Sequence, residues 1–162
     1  MDDKYRVVIL MGSRVDIDWV NRIAGALEGF GIKSIKRLAS AHKVPFKCMD
    51  IIKEYEGGRT IFITVAGRSN ALSGFVDAQT ACPVIACPPA SDRFAGGDIL
   101  STLRMPSGVA PMTVIEPENA ALAAAKIIGA WDGDVMRKVK KFQEGIKKLI
   151  DKEDEEMKNG QC

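Results

Sequence analysis

The chain of 162 residues is long enough for one well-buried core and too short for two comfortable ones. Hydrophobic residues make up 46% and charged residues 27%, ordinary proportions for a soluble globular protein, and every long apolar run is interrupted before it reaches membrane-span length. A formal net charge of +2 gives no electrostatic reason to expect nucleic acid or an anionic membrane as a partner.

The acids Asp2 and Asp3 run directly into an apolar segment with no small-residue cleavage site, so no signal peptide is expected and a cytoplasmic protein is the default. Arg6 to Met11 then reads as a buried strand through Val7, Val8, Ile9 and Leu10. A helix follows, with Val20, Ile23, Ala24, Leu27 and Phe30 at helical spacing and Gly31 placed to cap its end. Ser34 to Leu38 is a second, weaker strand. The next helix has Pro45 in its first turn and Cys48, Ile51, Ile52 and Tyr55 on one face, and Gly57-Gly58 ends it. Thr60 to Ala66 is the clearest strand in the chain.

A shorter helix is expected from Ser73 to Thr80, then a fourth strand from Pro83 to Cys87, stopped by Pro88-Pro89. Gly96-Gly97 opens a helical segment through Leu100 and Leu103. Met105-Pro106-Ser107-Gly108 turns into a fifth strand over Met112 to Ile115, and Ala120 to Ile128 is an Ala-rich helix. From Asp134 a charged helix carries a narrow apolar stripe of Val135, Val139, Phe142, Ile146 and Leu149. Such a stripe packs on its own domain or docks on a neighbouring subunit, and the sequence leaves both open. The tail after Leu149, rich in Lys, Asp and Glu, is expected to fray.

Strands alternating with helices over short connections predict an α/β fold: a three-layer, doubly wound, flavodoxin-like parallel sheet over residues 1–131, with a C-terminal helical extension over 132–162. The cysteines Cys48, Cys82, Cys87 and Cys162 match no zinc-ligand spacing, and a single histidine cannot complete a usual ligand set. Reduced thiols, no metal and no disulfide framework are expected.

In parallel sheets, ligands bind beyond the carboxyl ends of the strands. Three polar, small-residue loops fall there: Met11-Gly12-Ser13-Arg14-Val15-Asp16, Ser40-Ala41-His42-Lys43 and Ala66-Gly67-Arg68-Ser69-Asn70. Gly12 permits close backbone approach, Ser13 can cap a helix whose first amides hold a phosphate, and Asp16 can accept from sugar hydroxyls. Each residue alone also has an ordinary structural reading, Ser as an N-cap and Asp as a first-turn acid. The first loop is neither a Walker loop nor the dinucleotide fingerprint. His42 is the only histidine, and an imidazole, with an ordinary pKa of about 6.5, moves protons at neutral pH.

Met11-Gly12-Ser13 with Asp16, Ser40-Ala41-His42-Lys43, and Ala66-Gly67-Arg68-Ser69-Asn70-Ala71-Leu72 together resemble the aminoimidazole ribonucleotide carboxylase family of purine biosynthesis. Met105-Pro106-Ser107-Gly108 resembles a further family segment, and the resemblance runs from about Arg6 to Ala130. One branch of the family is a mutase that moves a carboxylate from the exocyclic nitrogen to ring carbon four. The other adds carbon dioxide to that carbon directly. Mutases have Arg after the family His and Gly-Gly-Ala-Ala-His-Leu in the third loop. Lys43 and Gly67-Arg68-Ser69-Asn70-Ala71-Leu72 depart from that pattern and resemble the direct carboxylase, the branch fused to another purine enzyme in animals. Val15 stands where many members have a second Ser.

The resemblance implies ATP-independent, reversible carboxylation of 5-aminoimidazole ribonucleotide (AIR) by carbon dioxide to 4-carboxy-5-aminoimidazole ribonucleotide (CAIR), with no cofactor. It implies His42 as the proton shuttle, Ser13, Ser40 and Lys43 around the phosphate, and Asp16 at the ribose hydroxyls. Gly12 and Ala41 join the substrate-binding positions, Gly67 admits the ring, and Arg68, Ser69 and Asn70 shape a small, dry carbon dioxide pocket. Lys43 also reads as a solvated helix-start charge, and Arg68 as the salt-bridge partner of a neighbouring loop. Cys87-Pro88-Pro89 and Asp92 are expected in the wall, without a catalytic role for the thiol. Family members form homo-oligomers, a tetramer or octamer here, with sites near subunit boundaries. The alternatives are the sister mutase and a non-catalytic nucleotide-binding module on the same fold. The latter accounts for Gly12-Ser13 but not for His42 and the third loop together.

Overall fold

A computed structural model describes residues 5–160 of the chain; Asp2, Asp3 and Cys162 lie outside the described residues. Five parallel strands stand in the order β2-β1-β3-β4-β5. They are β1 (Arg6–Met11), β2 (Ser34–Leu38), β3 (Thr60–Val65), β4 (Val84–Ala86) and β5 (Met112–Thr113). Parallel pairing needs crossover connections, and helices supply them. These are α1 (Ile17–Gly29), α2 (Pro45–Tyr55), α3 (Ala71–Asp77) and the short α4 (Leu100–Leu103), with α5 (Pro117–Gly129) after β5.

Strand residues alternate between two cores, as a period of two requires. Val7, Ile9 and Met11 of β1 and Ile61, Ile63 and Val65 of β3 pack with α1 and α5. Val8, Leu10 and Phe62 point the other way, onto Cys48, Ile51 and Ile52 of α2 and Leu72 and Val76 of α3. The central strands β1, β3 and β4 are buried on both faces because helices cover both, whereas the edge strand β2 carries Lys36 and Arg37. This is the three-layer, doubly wound, flavodoxin-like fold expected from the sequence.

Several boundaries differ from expectation for local reasons. Helix α3 starts at Ala71, two residues early, because Asn70 caps it by accepting from the Ser73 amide at 3.3 Å. The segment opened by Gly96-Gly97 is not yet α-helical there. A 3-10 stretch over Arg93–Ile99 contains left-handed Phe94, Ala95 and Gly96, and α4 begins only at Leu100. Strand β5 is two residues long, not four.

The C-terminal helix α6 (Gly133–Lys158) is continuous, so the expected fraying after Leu149 is not found. Asp132 caps its start, accepting from the amides of Asp134 at 2.9 Å and Val135 at 3.2 Å. Pairs one turn apart run along the distal part: Glu144 with Lys147, Lys152 with Glu156, and Asp154 with Lys158. The apolar stripe divides. Val135 and Val139 are buried with α1 and α5, and the Phe142 ring meets Phe30 edge-on with centroids 5.4 Å apart. Phe142 is still 45% exposed, and Ile146 and Leu149, 44% and 55% exposed, have no such ring partner among the described residues.

Candidate active site

The sheet order reverses at β1, since the chain places β2 on one side of it and β3 on the other. The loops after these strands therefore diverge and leave a crevice at the strand ends. Its floor is fixed by main-chain bonds: the Gly12 amide donates to the Val65 carbonyl at 2.9 Å, and the Ala39 amide to the Met11 carbonyl at 3.0 Å.

Ser13 is a cap, though not of α1 itself. Its hydroxyl accepts from the Val15 amide at 3.4 Å and closes a 3-10 turn over Arg14–Asp16. Asp16 then occupies the N-cap position of α1 but makes no side-chain cap bond, so the helix leaves its carboxylate unspent. That carboxyl is half-buried; burial pushes it above its ordinary value, and the Arg68 guanidinium pulls the other way.

The second loop is a turn closed by the Val44 amide donating to the Ser40 carbonyl at 2.9 Å, with Pro45 at the first position of α2. His42 and Lys43 are exposed on it, so His42 is not a buried structural histidine. In the third loop Arg68 has a φ of +56°, in the left-handed region that favours glycine.

These three loops enclose one cleft of about 380 Å³, within the range of small-molecule sites. Gly12, Ser13 and Asp16 line it from the first loop, Ser40, Ala41, His42 and Lys43 from the second, and Gly67, Arg68 and Ser69 from the third. Asn70 does not join them. It is 4% exposed and turned inward, donating from Nδ2 to Thr102 Oγ1 at 3.0 Å, so its expected place in the pocket wall is corrected. Val15, Ala66 and Leu72 also line the cleft; they stand within the loop motifs, where the sequence gives them no binding role. Val15, 84% exposed, was legible only as a departure from a family Ser.

Neither Gly12 nor Gly67 has a left-handed φ. A Cβ on Gly12 would sit 3.4 Å from the Ala66 Cβ, and one on Gly67 would sit 3.9 Å from the Pro89 ring, both ordinary contacts. The fold would accept a methyl at either position. What the bare glycines keep open is the cleft.

A second cavity of about 260 Å³ shares Ala66, Gly67 and Arg68 with the first and is lined by Trp19, Pro88, Pro89 and Ile115 among others. The expected wall thus forms in part, behind the third loop; Asp92 is exposed and lines neither cavity. Cys87 is fully buried, and burial pushes its thiol up to about 11. At neutral pH it is protonated and not a nucleophile.

The AIR carboxylase family model matches residues 6–148, which include all three loops. The chain belongs to the AIR carboxylase family. A phosphoribosylaminoimidazole carboxylase of Archaeoglobus fulgidus is 58% identical over 153 residues, covering 94% of this chain and 85% of that one. The crystal structure of Treponema denticola PurE superposes with a TM-score of 0.93 at 47% identity, over 95% of this chain and 99% of that one. In mouse, the bifunctional phosphoribosylaminoimidazole carboxylase/phosphoribosylaminoimidazole succinocarboxamide synthetase is 44% identical over 130 residues, 79% of this chain but 31% of that one. Within the AIR carboxylase family the chain falls in the direct-carboxylase branch, as its third loop and Lys43 implied.

Proposed function

We propose that the protein carboxylates AIR at ring carbon four with carbon dioxide, reversibly and without ATP, and that His42 moves the proton. The observation that carries this reading is an exposed imidazole in the same cleft as the unspent Asp16 carboxylate and the bare Gly67. Ser13, Ser40 and Lys43 hold the phosphate, with the amides of Gly12 and Ala41 nearby, and Asp16 accepts from the ribose hydroxyls. Gly67 lets the imidazole ring lie close to the backbone. Arg68 and Ser69 bound the space for carbon dioxide, and Asn70 supports them from behind.

The ring of AIR is an electron-rich enamine, and carbon four attacks the carbon of carbon dioxide. One carbon–carbon bond forms, the electron pair of a C=O bond moves to oxygen, and ring carbon four becomes tetrahedral while keeping its hydrogen. Neutral His42 then takes that proton, the C–H pair restores aromaticity, and CAIR results with an imidazolium beside it. In reverse, the imidazolium returns the proton and the carboxylate leaves as carbon dioxide. A dry pocket keeps carbon dioxide from being replaced by water.

The test is turnover of CAIR by purified protein without ATP, followed by loss of its carboxylate and uptake of label from dissolved carbon dioxide. No turnover overturns the reading. Efficient conversion of the N-carboxylated isomer without label exchange would assign the mutase reaction instead. A homo-oligomer, a tetramer or octamer, belongs to the same reading and is supported by the uncovered Ile146 and Leu149. So does a cytoplasmic location; among the described residues no helix is long and apolar enough to cross a membrane.

A further inference from the structure

The left-handed backbone at Arg68 calls for a restraint, because an Arg side chain gains nothing locally from that conformation. The sheet does not supply it. The chain supplies it from α4, more than thirty residues later. The Ser101 hydroxyl lies 3.0 Å from the Arg68 carbonyl and 2.8 Å from the Asp98 carbonyl, with one hydrogen to share between them. The same oxygen accepts the Asn70 amide at 2.9 Å. On the next residue, Thr102 Oγ1 accepts from Asn70 Nδ2 at 3.0 Å. Thr102 is 1% exposed and Asn70 is 4% exposed, so water offers that amide no substitute partner.

Two consecutive hydroxyls on one short helix thus grip residues 68 and 70, on either side of Ser69. We propose that Ser101 and Thr102 are positioning residues that lock the third loop, so that Arg68 and Ser69 keep their places in the cleft. This rests on the carboxylase reading of that cleft. Neither residue lines the ribonucleotide cleft itself, though Thr102 lines the second cavity behind the third loop; Ser101 lines neither and acts through the loop. Because Arg68 and Ser69 bound the carbon dioxide space while the phosphate is held by the first two loops, the clamp bears more on carbon dioxide than on the ribonucleotide.

Steady-state kinetics with each substrate varied separately test it. Ser101→Ala raises the KM for carbon dioxide and lowers kcat/KM for it about tenfold, while the KM for AIR stays within about twofold. Ser101→Thr, which keeps the hydroxyl, restores most of the loss. In an Arg68→Ala background Ser101→Ala costs little more, since the two act as a unit. Should Ser101→Ala not fold, Thr102→Val is expected to give the same split. Wild-type kinetics in Ser101→Ala, a fall in kcat with both KM values unchanged, or full additivity with Arg68→Ala would each overturn the clamp. If wild-type protein fails to turn over CAIR, the carboxylase reading falls first. The lock is then read by amide hydrogen exchange: faster exchange at residues 68–71 in Ser101→Ala, with the strands unchanged, upholds it, and unchanged exchange overturns it.

Discussion

Asp16 and Arg68, from different loops, are electrostatically coupled in the cleft, and the coupling does not fully offset the burial of the carboxylate. With its folded pKa above the unfolded one, the native state binds the proton more tightly. The associated stability is present below the unfolded pKa and is lost as pH rises through the folded value. Asp16→Asn therefore melts higher than wild type at neutral pH and level with it in acid, while binding of AIR weakens about tenfold through loss of a charged acceptor. Thermal melts across that range, with calorimetric binding, check both. A neutral-pH melting point below wild type would contradict the sign.

His42 is exposed, so replacing it removes no core contact. His42→Asn is expected to fold and melt as wild type yet lose about 10²- to 10⁴-fold in turnover, in carboxylation and decarboxylation alike. Retention of most activity in either direction would take His42 out of the mechanism.

The bare Gly67 gives a complementary test, because the fold has room for a methyl there. Gly67→Ala keeps or slightly raises Tm, since the unfolded chain loses freedom. It should still lower kcat/KM about tenfold or more by lifting the ring off the backbone. Wild-type kinetics would show that the ring does not lie against this residue.

How far the sequence could be read depended on whether the cause was local. The bounds of β1 were legible from its apolar run, and those of β2 from Ile35 and Leu38 flanking Lys36 and Arg37 between two helical patterns. The convergence of Gly12, His42 and Gly67 followed from the strand-end rule, which needs only the order of elements. Asn70 reads as a pocket residue from its polarity and loop position, yet its side chain serves both as a cap and as a buried donor to Thr102. No spacing rule foretells a partner 32 residues away. The left-handed Phe94 and Ala95 were equally hidden, since neither residue type favours that backbone. The continuity of α6 past Leu149 lies in the register of its ion pairs, which charge density alone does not reveal.

Cys87 and Cys48 are fully buried, and burial raises both thiols. Iodoacetamide applied to native protein near neutral pH should leave both unmodified, with labelling appearing only after denaturation. Peptide mapping decides the matter, and rapid native modification of Cys87 would contradict its burial.

The uncovered half of the α6 stripe predicts that Ile146→Asp with Leu149→Asp reduces the assembly to a smaller species while leaving helical content and the melting of the fold nearly unchanged. Light scattering with circular dichroism measures both. An unaltered particle mass would remove this face from the assembly.

Phe142 meets Phe30 just past the end of α1, whereas the phosphate-side loop lies before that helix begins. Helix α6 is thus anchored at the pole of the domain away from the strand ends. Polypeptide grafted beyond that anchor, or clasped by it, approaches from the far side and does not crowd the entrance through which nucleotide and gas must pass.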